Sequence, residues 1–571
     1  MKNLKISTVF FLVAVILSSC GGVKKMVKES DTVGYSVDPT VLVMRGGNVD
    51  ATISVKYPAK YFNKKAIVTL TPVLKYEGGE KQLSPLVLQG QDVTENNKPV
   101  SFDGGGSASQ SISFPYEDDY AVSALYYDIV ASIKDKQTPI GTVKLADGVI
   151  ATAQLVSKKA KLISFADHYQ QIVPEAYVAD IKYVINRSDV RNSETGKVEI
   201  KGLNETIKAA DANDRLNLKG IEISAYASPD GELDINTRLA DQRQKTAEKY
   251  LAGQLKKSKI EIADELMSLL ATPEDWEGFK KLIEASSIQD KEMILRVLSM
   301  HSDPVVREQE IKNLSAAFVV IAEEILPELR RSKYTVNLEK VGWSDAELKG
   351  LWVSNPDTLV LEELLYTATL FDDNETKAAI YGKAIEVAPN CVRAHNNKGV
   401  VLFMMGETDA AAAEFKAAKA LKDHDNINNN LGAVALNNGD VDAAKEAFTA
   451  SLGAGDKVNY NLGIVNLIQG DYQAAINYFG NDPSFNLALA TYLNGNNEGA
   501  WRIAANVEES PYRSYLLAVI AANQDKASVV YENLKSAVQT CKDPQYMKDH
   551  AKQDLEFAKL WNEPEFKAIV E

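Results

Sequence analysis

Cysteine and histidine are scarce in this chain, with 3 Cys and 5 His among 571 residues. That supply is too small for a disulfide framework or a metal cluster. His168, His301, His395, His424 and His550 are scattered, with no two at ligand spacing. No His-Glu-x-x-His, Cys-x-x-Cys, Gly-x-Ser-x-Gly or phosphate-loop motif occurs, so no metalloprotease, redox, hydrolase or nucleotide chemistry is nominated. Positive charge is in deficit too: 63 Lys+Arg against 78 Asp+Glu, a formal net charge of −15. Such a chain lacks the cationic surplus that displaces phosphate counterions, which excludes a nucleic-acid binder outside any local basic patch. No run approaches the roughly 20 apolar residues of a membrane-spanning helix. What remains is ordinary globular composition, 45% hydrophobic and 25% charged. At roughly 100–200 residues per domain, the length predicts about three or four domains. The expectation is a protein that is not an enzyme and uses no cofactor and no metal.

The N-terminus speaks to the compartment. Lys2 and Lys5 precede an apolar run over residues 9–17, the layout of a signal peptide. Leu17-Ser18-Ser19-Cys20-Gly21-Gly22 follows and resembles a bacterial lipobox. The resemblance implies a lipoprotein signal peptide over 1–19, acylation of Cys20, and a lipid-anchored linker over 20–30. The alternative is an ordinary secretory signal with a chance Cys near the cut; the small residues before Cys20 and the Gly after it argue against that. Several acyl chains, at about 0.8 kcal/mol per buried CH2, hold far more firmly than one. Lys24, Lys25 and Lys28 come next without an acidic run, which points to the periplasmic face of the outer membrane. Cys391 and Cys541 read as small buried apolar residues, with a bridge open to them in an oxidising compartment.

Residues 31–158 read as a β-sandwich of roughly seven strands. Ile53, Val55 and Tyr57 alternate with Ser54 and Lys56, and further strands are expected at 68–70, 110–114, 121–133, 141–144 and 149–156. Gly46-Gly47, Gly78-Gly79, Gly104-Gly105-Gly106 and Asp147-Gly148 supply turns, the Gly104 run as a flexible hairpin tip.

Residues 159–342 mix strand and helix patterns. Ile181, Tyr183 and Ile185 alternate, helices are expected at 198–212 and 236–256, and a strand at 220–226 leads into Ser228-Pro229-Asp230-Gly231. Thr272-Pro273-Glu274-Asp275 reads as a helix start capped by Thr272. A closing strand is expected at 333–340. Gly231, Asn236, Leu239 and Arg243, at offsets of five, three and four, together with Asn186-Arg187-Ser188-Asp189 and Arg330-Arg331, resemble the OmpA-like peptidoglycan-binding domain. That implies a β-α-β-α-β fold with a helical insertion over about 259–326. In the family, a turn Asp and the helix Arg clamp the diaminopimelate of the wall's stem peptide. An Arg fork suits its carboxylate and an Asp its ammonium. Arg243 matches the Arg, while the Asp position is Ser228, which carries no charge. Asp230 lies two residues on and substitutes only if the turn aims it inward, and Asn236 completes the candidate set. The bland alternative has Arg243 pairing with Asp241 or Glu248 on a solvated helix face, and Asn236 as an N-cap.

Residues 357–564 are repetitive. Asn430-Leu431-Gly432 and Asn461-Leu462-Gly463 are each followed by Gly-Asp, at Gly439-Asp440 and Gly470-Asp471, then by Ala-Ala and by Phe448 or Phe479. An earlier copy has Gly399, Gly406-Glu407, Ala410-Ala411 and Phe415. The pattern resembles the tetratricopeptide repeat, nominally about 34 residues, and implies an α-helical solenoid whose concave face binds proteins. Gly and Ala let paired helices approach, and Phe fills the gap between repeats. Asn396, Asn397, Asn428, Asn429, Asn430, Asn459 and Asn461 enrich the first helices in amides, with Asn397, Asn430 and Asn461 the candidate concave-face set. Such amides either clamp a peptide backbone through paired hydrogen bonds or stand solvated; both readings are open.

Together these features lead to a non-enzymatic outer-membrane lipoprotein. It would contact peptidoglycan through the second region and recruit envelope proteins through the repeats. The alternative is a scaffold of an outer-membrane assembly or secretion machine without wall binding, and Ser228 divides the two. A peptidoglycan hydrolase is a third reading that no residue supports.

Overall fold

The computed structural model describes residues 21–288, 290–481 and 483–571. The expected signal peptide and Cys20 lie outside the described residues. The chain forms two compact units: Met1–Ala166 with Asn390–Glu571, and Asp167–Pro389.

The first unit opens with a helix, Gly21–Lys28. Its Met26 is fully buried in the β core, Tyr61 Oη donates to the Met26 carbonyl at 2.9 Å, and Lys25 Nζ donates to the Lys60 carbonyl. The expected linker over 20–30 is therefore a docked helix through Lys28, because Val23 and Met26 recur on one face and find an apolar surface to cover.

Eleven strands follow. β1 (Gly34–Asp38), β2 (Leu42–Arg45), β3 (Asn48–Tyr57), β8 (Gly106–Pro115) and β11 (Val149–Ile150) build one sheet. β4 (Ile67–Tyr76), β5 (Gly79–Gln82), β6 (Leu86–Gly90), β7 (Lys98–Val100), β9 (Ser123–Ile133) and β10 (Lys136–Asp147) build the other. Val49, Ala51, Ile53, Val55 and Tyr57 alternate inward on β3 and meet Val68, Leu70, Tyr127 and Ile129 from the second sheet. The strand expected over 149–156 is only two residues long and gives way to a 3-10 turn, Thr152–Leu155. The short strands β1, β2, β5, β6 and β7 carry too few alternating residues to stand out in the sequence. Gly105, with φ of 70°, sits where a Cβ would meet the Tyr57 carbonyl at 2.4 Å, so that turn is seated against backbone.

The solenoid half of this unit pairs Val392–Met404 with Thr408–Leu421, Asp425–Asn437 with Val441–Thr449, and Asp456–Ile468 with Tyr472–Phe479. Phe485–Leu493 with Asn497–Ala505 and Pro511–Asn523 with Ala527–Thr540 continue it. The Gly-Asp motif has a local mechanism: Gly439 and Gly470 turn at φ of 82° and 80°, and Asp440 and Asp471 then accept from Ala443 and Ala474 N–H as N-caps. Phe415, Phe448 and Phe479 lie under Gly399, Gly432 and Gly463, within each pair instead of between repeats, at 2.5–2.7 Å from where a Cβ would stand. Cys391 and Cys541 are free thiols and half-buried.

The sandwich packs on the solenoid. Arg45 Nε donates to the Gly470 carbonyl at 2.7 Å, with its guanidinium 5.1 Å from the Tyr472 ring centroid. Glu556 accepts from Thr152 Oγ1 and Tyr492 Oη, both at 2.7 Å. Burial, then the Asp554 carboxylate, pushes the Glu556 carboxyl up. A folded-state pKa above the unfolded one means that this group's contribution is full below its ordinary value, about 4.3, and is lost as pH rises through the folded value. Glu556→Gln keeps an oxygen acceptor and removes the charge. It should raise Tm at pH 8 and leave it unchanged at pH 4, as read by calorimetry at both values.

The second unit holds β12 (Ile172–Lys182), β13 (Leu216–Tyr226), β14 (Met267–Thr272) and β15 (Arg331–Val341) in the order β12-β15-β13-β14. β13 and β14 run parallel; the other pairs are antiparallel. Helices Val198–Ala212 and Leu233–Ser258 cover one face, burying Ile200, Leu203, Ile207, Ala247 and Leu251 against Ile181, Ile221, Ile223 and Val336. β14 falls inside the stretch expected to be a purely helical insertion. It is a short edge strand with exposed Leu269 and Leu270, so no alternation marks it. The insertion's helices begin at Trp276–Ala285 and include Lys291–Met300 and Pro304–Asn313, around Phe279, Ile283, Ile294 and Ile311. Asp275, instead of Thr272, caps the first of them, accepting from Gly278 N–H at 2.8 Å; Thr272 ends β14. This unit starts at Asp167, so residues 159–166 leave the expected α/β domain and belong to the first unit.

Candidate peptide-binding groove

The first helices of four of the five solenoid pairs carry an Asn two residues before a close-packed Gly or Ala: Asn397, Asn430, Asn461 and Asn486. A carboxamide holds one acceptor oxygen and two donor hydrogens, so it can take both the N–H and the C=O of a single residue without reading its side chain. That is what these four do, to the chain's own residues 157–165. Asn397 Oδ1 accepts from Phe165 N–H and its Nδ2 donates to Phe165 C=O, both at 2.8 Å. Asn430 does the same at Ile163, both at 2.8 Å. Asn461 holds Lys161 at 2.7 and 2.9 Å, and Asn486 holds Ser157 at 2.9 and 2.8 Å. Alternate residues of an extended chain present their polar groups to one side, about 6.6–6.8 Å apart. One repeat therefore reads every second residue from Phe165 to Lys161, and Asn486 resumes at Ser157.

A second layer of amides ties the clamp together. Asn396 donates to Ile163 C=O and to Asn397 Oδ1, at 3.0 and 3.2 Å. Asn429 donates to Lys161 C=O at 3.0 Å and to Asn430 Oδ1 at 3.2 Å. Asn461 donates to Asn429 and Asn430 to Asn396, linking neighbouring repeats. Asn396, Asn429, Asn430, Asn461 and Asn486 are fully buried. Lys457 Nζ donates to Leu162 C=O at 3.0 Å, and Lys161 Nζ lies 4.2 Å from the Tyr460 ring centroid. Phe165 meets the His424 ring edge-on, and Leu162 and Ile163 pack on the solenoid's core.

Of the two readings open for the amides, the backbone clamp is the one observed, and the peptide comes from the same chain. Asn486 was missed because Ala488 stands where the other repeats have Gly; Asn486-Leu487-Ala488 is nonetheless the Asn-Leu-Gly pattern with a small residue kept. Asn428 joins none of the backbone bonds and instead pairs with Asp423 and Lys419.

The residues nominated in the α/β unit also come together, with most of their polar groups engaged. Arg243 is 1% exposed; Nε donates to Arg187 C=O at 3.0 Å and Nη1 to Tyr226 C=O at 2.8 Å. Its guanidinium lies 5.1 Å from the Tyr183 ring centroid, and burial brings its pKa down to about 10. The expected partners Asp241 and Glu248 are not its hydrogen-bond acceptors. Asp230 instead pairs with Arg330 at 3.1 Å and accepts from Ser228 Oγ, which in turn accepts from Arg330 Nε at 3.2 Å. Asn236 spans the turn, donating to the carbonyls of Ser228 and Gly231 at 3.2 and 3.0 Å. It sits within the first turn of the helix and is not its N-cap, which is Glu232.

Among the described residues no group of three His, Cys, Asp or Glu could hold a metal ion, and no helix is long and apolar enough to cross a membrane. Comparison with known proteins bears on the solenoid. No curated protein matches the chain. Solved structures similar to it include a tetratricopeptide repeat protein from Parabacteroides merdae, 15% identical, covering 37% of this chain and 91% of that one, with a TM-score of 0.30. Pseudomonas aeruginosa PilF is 16% identical over 39% of this chain and 97% of that one, with a TM-score of 0.27. PilW, a type IV pilus biogenesis factor, is 18% identical over 35% of this chain and 91% of that one, also with a TM-score of 0.27. The tetratricopeptide repeat family matches residues 370–426 and 429–484, so the C-terminal region of this chain contains tetratricopeptide repeats, modules of protein–protein interaction.

Proposed function

We propose that this protein is a non-enzymatic scaffold of the bacterial outer membrane, anchored through acylated Cys20, facing the periplasm and binding envelope proteins through its solenoid unit. In this reading the α/β unit is an OmpA-like module, in keeping with its strand order, that does not grip the wall. The observation that carries this choice over wall binding is the state of Arg243. A guanidinium that takes a stem-peptide carboxylate needs an open fork, whereas here two of its nitrogens donate to backbone carbonyls and the residue is 1% exposed. Asp230 is likewise committed to Arg330.

The test is sedimentation of the chain, expressed from Gly21, with purified sacculi. Wild type and Arg243→Lys should both stay in the supernatant. Pelleting of wild type that the Lys variant loses would replace this reading with the wall tether. In cells, wild type should fractionate with the outer membrane and Cys20→Ser with the soluble periplasm; identical partitioning of the two would remove the anchor.

A further inference from the structure

The groove that solenoids offer to partners is filled here by residues 157–165, and the filling strand has two edges. One edge, Ser157, Lys161, Ile163 and Phe165, is taken by the asparagines. Residues of opposite parity turn their N–H and C=O the other way. Among the described residues, no hydrogen bond takes the backbone N–H of Lys158, Ala160, Leu162 or Ser164, or the carbonyl of Lys158, Ala160 or Ser164. Lys158 and Ser164 are exposed. A row of unpaired donors and acceptors along an extended segment is a template for a further strand.

Beside the same segment lies a cavity of about 700 Å³ whose wall includes residues 155–159, the apolar and aromatic Met44, Ile468, Phe485, Tyr512 and Tyr546, and the polar Asp118, Ser510 and His550. Tyr512 and Tyr546 are 45% and 53% exposed at its wall. Both features belong to the first unit.

Resting on the scaffold reading above, we propose that the open edge of residues 158–164 is the docking strand for a partner protein. The partner contributes an extended segment that pairs with this edge by backbone hydrogen bonds and places one large apolar side chain in the cavity. Two observations select this occupant. The free backbone row calls for another extended chain, which supplies the complementary groups at the same spacing, and the Met, Ile, Phe and Tyr in the cavity's wall call for an apolar anchor. The partner adds to the internal strand and does not replace it. The strand is tethered at both ends, which gives it an effective concentration that a free peptide at micromolar levels cannot match.

The chain from Gly21 is panned against a displayed random 12-residue peptide library, and enriched peptides are measured by fluorescence polarisation. Ala160→Pro deletes an outward N–H and leaves every asparagine contact in place; Tyr512→Ala opens the cavity at an exposed position. Each should weaken binding at least tenfold with Tm preserved, as should N-methylation of alternate amides in the peptide. Tyr512→Ala and the N-methylated peptides carry the test if Ala160→Pro does not fold. Failure to enrich any peptide, or equal affinity for wild type and variants, would overturn the proposal. Binding weakened by Asn430→Ala alone would overturn it as well, since the peptide would then be replacing the internal strand. That last outcome leaves the scaffold reading standing, whereas pelleting with sacculi would remove the scaffold reading without touching this edge.

Discussion

Asn430→Asp is expected to destabilise the solenoid unit by about 3–5 kcal/mol and to open residues 157–165 to trypsin. Asn430 is fully buried and uses its whole amide: Oδ1 accepts from Ile163 and Asn429, and Nδ2 donates to Ile163 C=O and Asn396 Oδ1. Aspartate keeps the accepting oxygen and turns the donor into a second acceptor facing two carbonyl-type oxygens. Asn396 Oδ1 then loses its donor, at about 1–3 kcal/mol, Ile163 C=O keeps only the bond from Asn396, and an ionised carboxylate without a cation is added to the interior. The neutral variant Asn430→Leu should cost less, because it removes the hydrogen bonds without burying charge. Chemical denaturation gives the free energies. Trypsin reports the strand itself, since Lys161, whose N–H and C=O are both held, becomes a cleavage site when the clamp loosens. Tm within a degree of wild type and an uncut strand would show that the amides are bystanders.

Phe448→Ala should cost about 3–5 kcal/mol, the range for emptying a buried aromatic site. Phe448 is fully buried beneath Gly432, where an added Cβ would stand 2.7 Å from its ring. Gly432→Ala alone should therefore destabilise by overpacking, at roughly 1–3 kcal/mol. The telling measurement is the double variant. With the ring gone, the new methyl has room, so Gly432→Ala should cost little in the Phe448→Ala background and the cycle should be strongly non-additive. Additive costs would mean that the glycine is there for another reason. Because a solenoid's repeats touch mainly their neighbours, the loss should appear first as raised hydrogen exchange in Asp425–Asn437 and Val441–Thr449.

Much of this molecule is readable without coordinates where the causes are local. The Gly-Asp pairs announce helix ends because a left-handed turn and an N-cap need only adjacent residues, as at Gly439 and Asp440. The inward alternation of β3 is visible for the same reason. Legibility fails where an element is short or lies at an edge. β14 carries exposed leucines and no alternation, and Thr272, with the chemistry of a cap, ends that strand while Asp275 does the capping. The motif around Arg243 shows a different failure. Its spacing is legible, but whether the guanidinium faces a ligand or the carbonyls of Arg187 and Tyr226 depends on chain 17 and 56 residues away.

The amino-acid sequence alone determined the solenoid: its period, its caps, and, in four of its five pairs, an amide at a constant offset from the close-packed residue. These follow from interactions within one helix pair, which recur as the repeat recurs. What the amides hold was decided only in the tertiary structure. Their partners lie 232 to 329 residues earlier in the chain, and clamping a backbone places no demand on the side chains of the clamped segment. A segment recognised through its peptide groups carries no signature of its own.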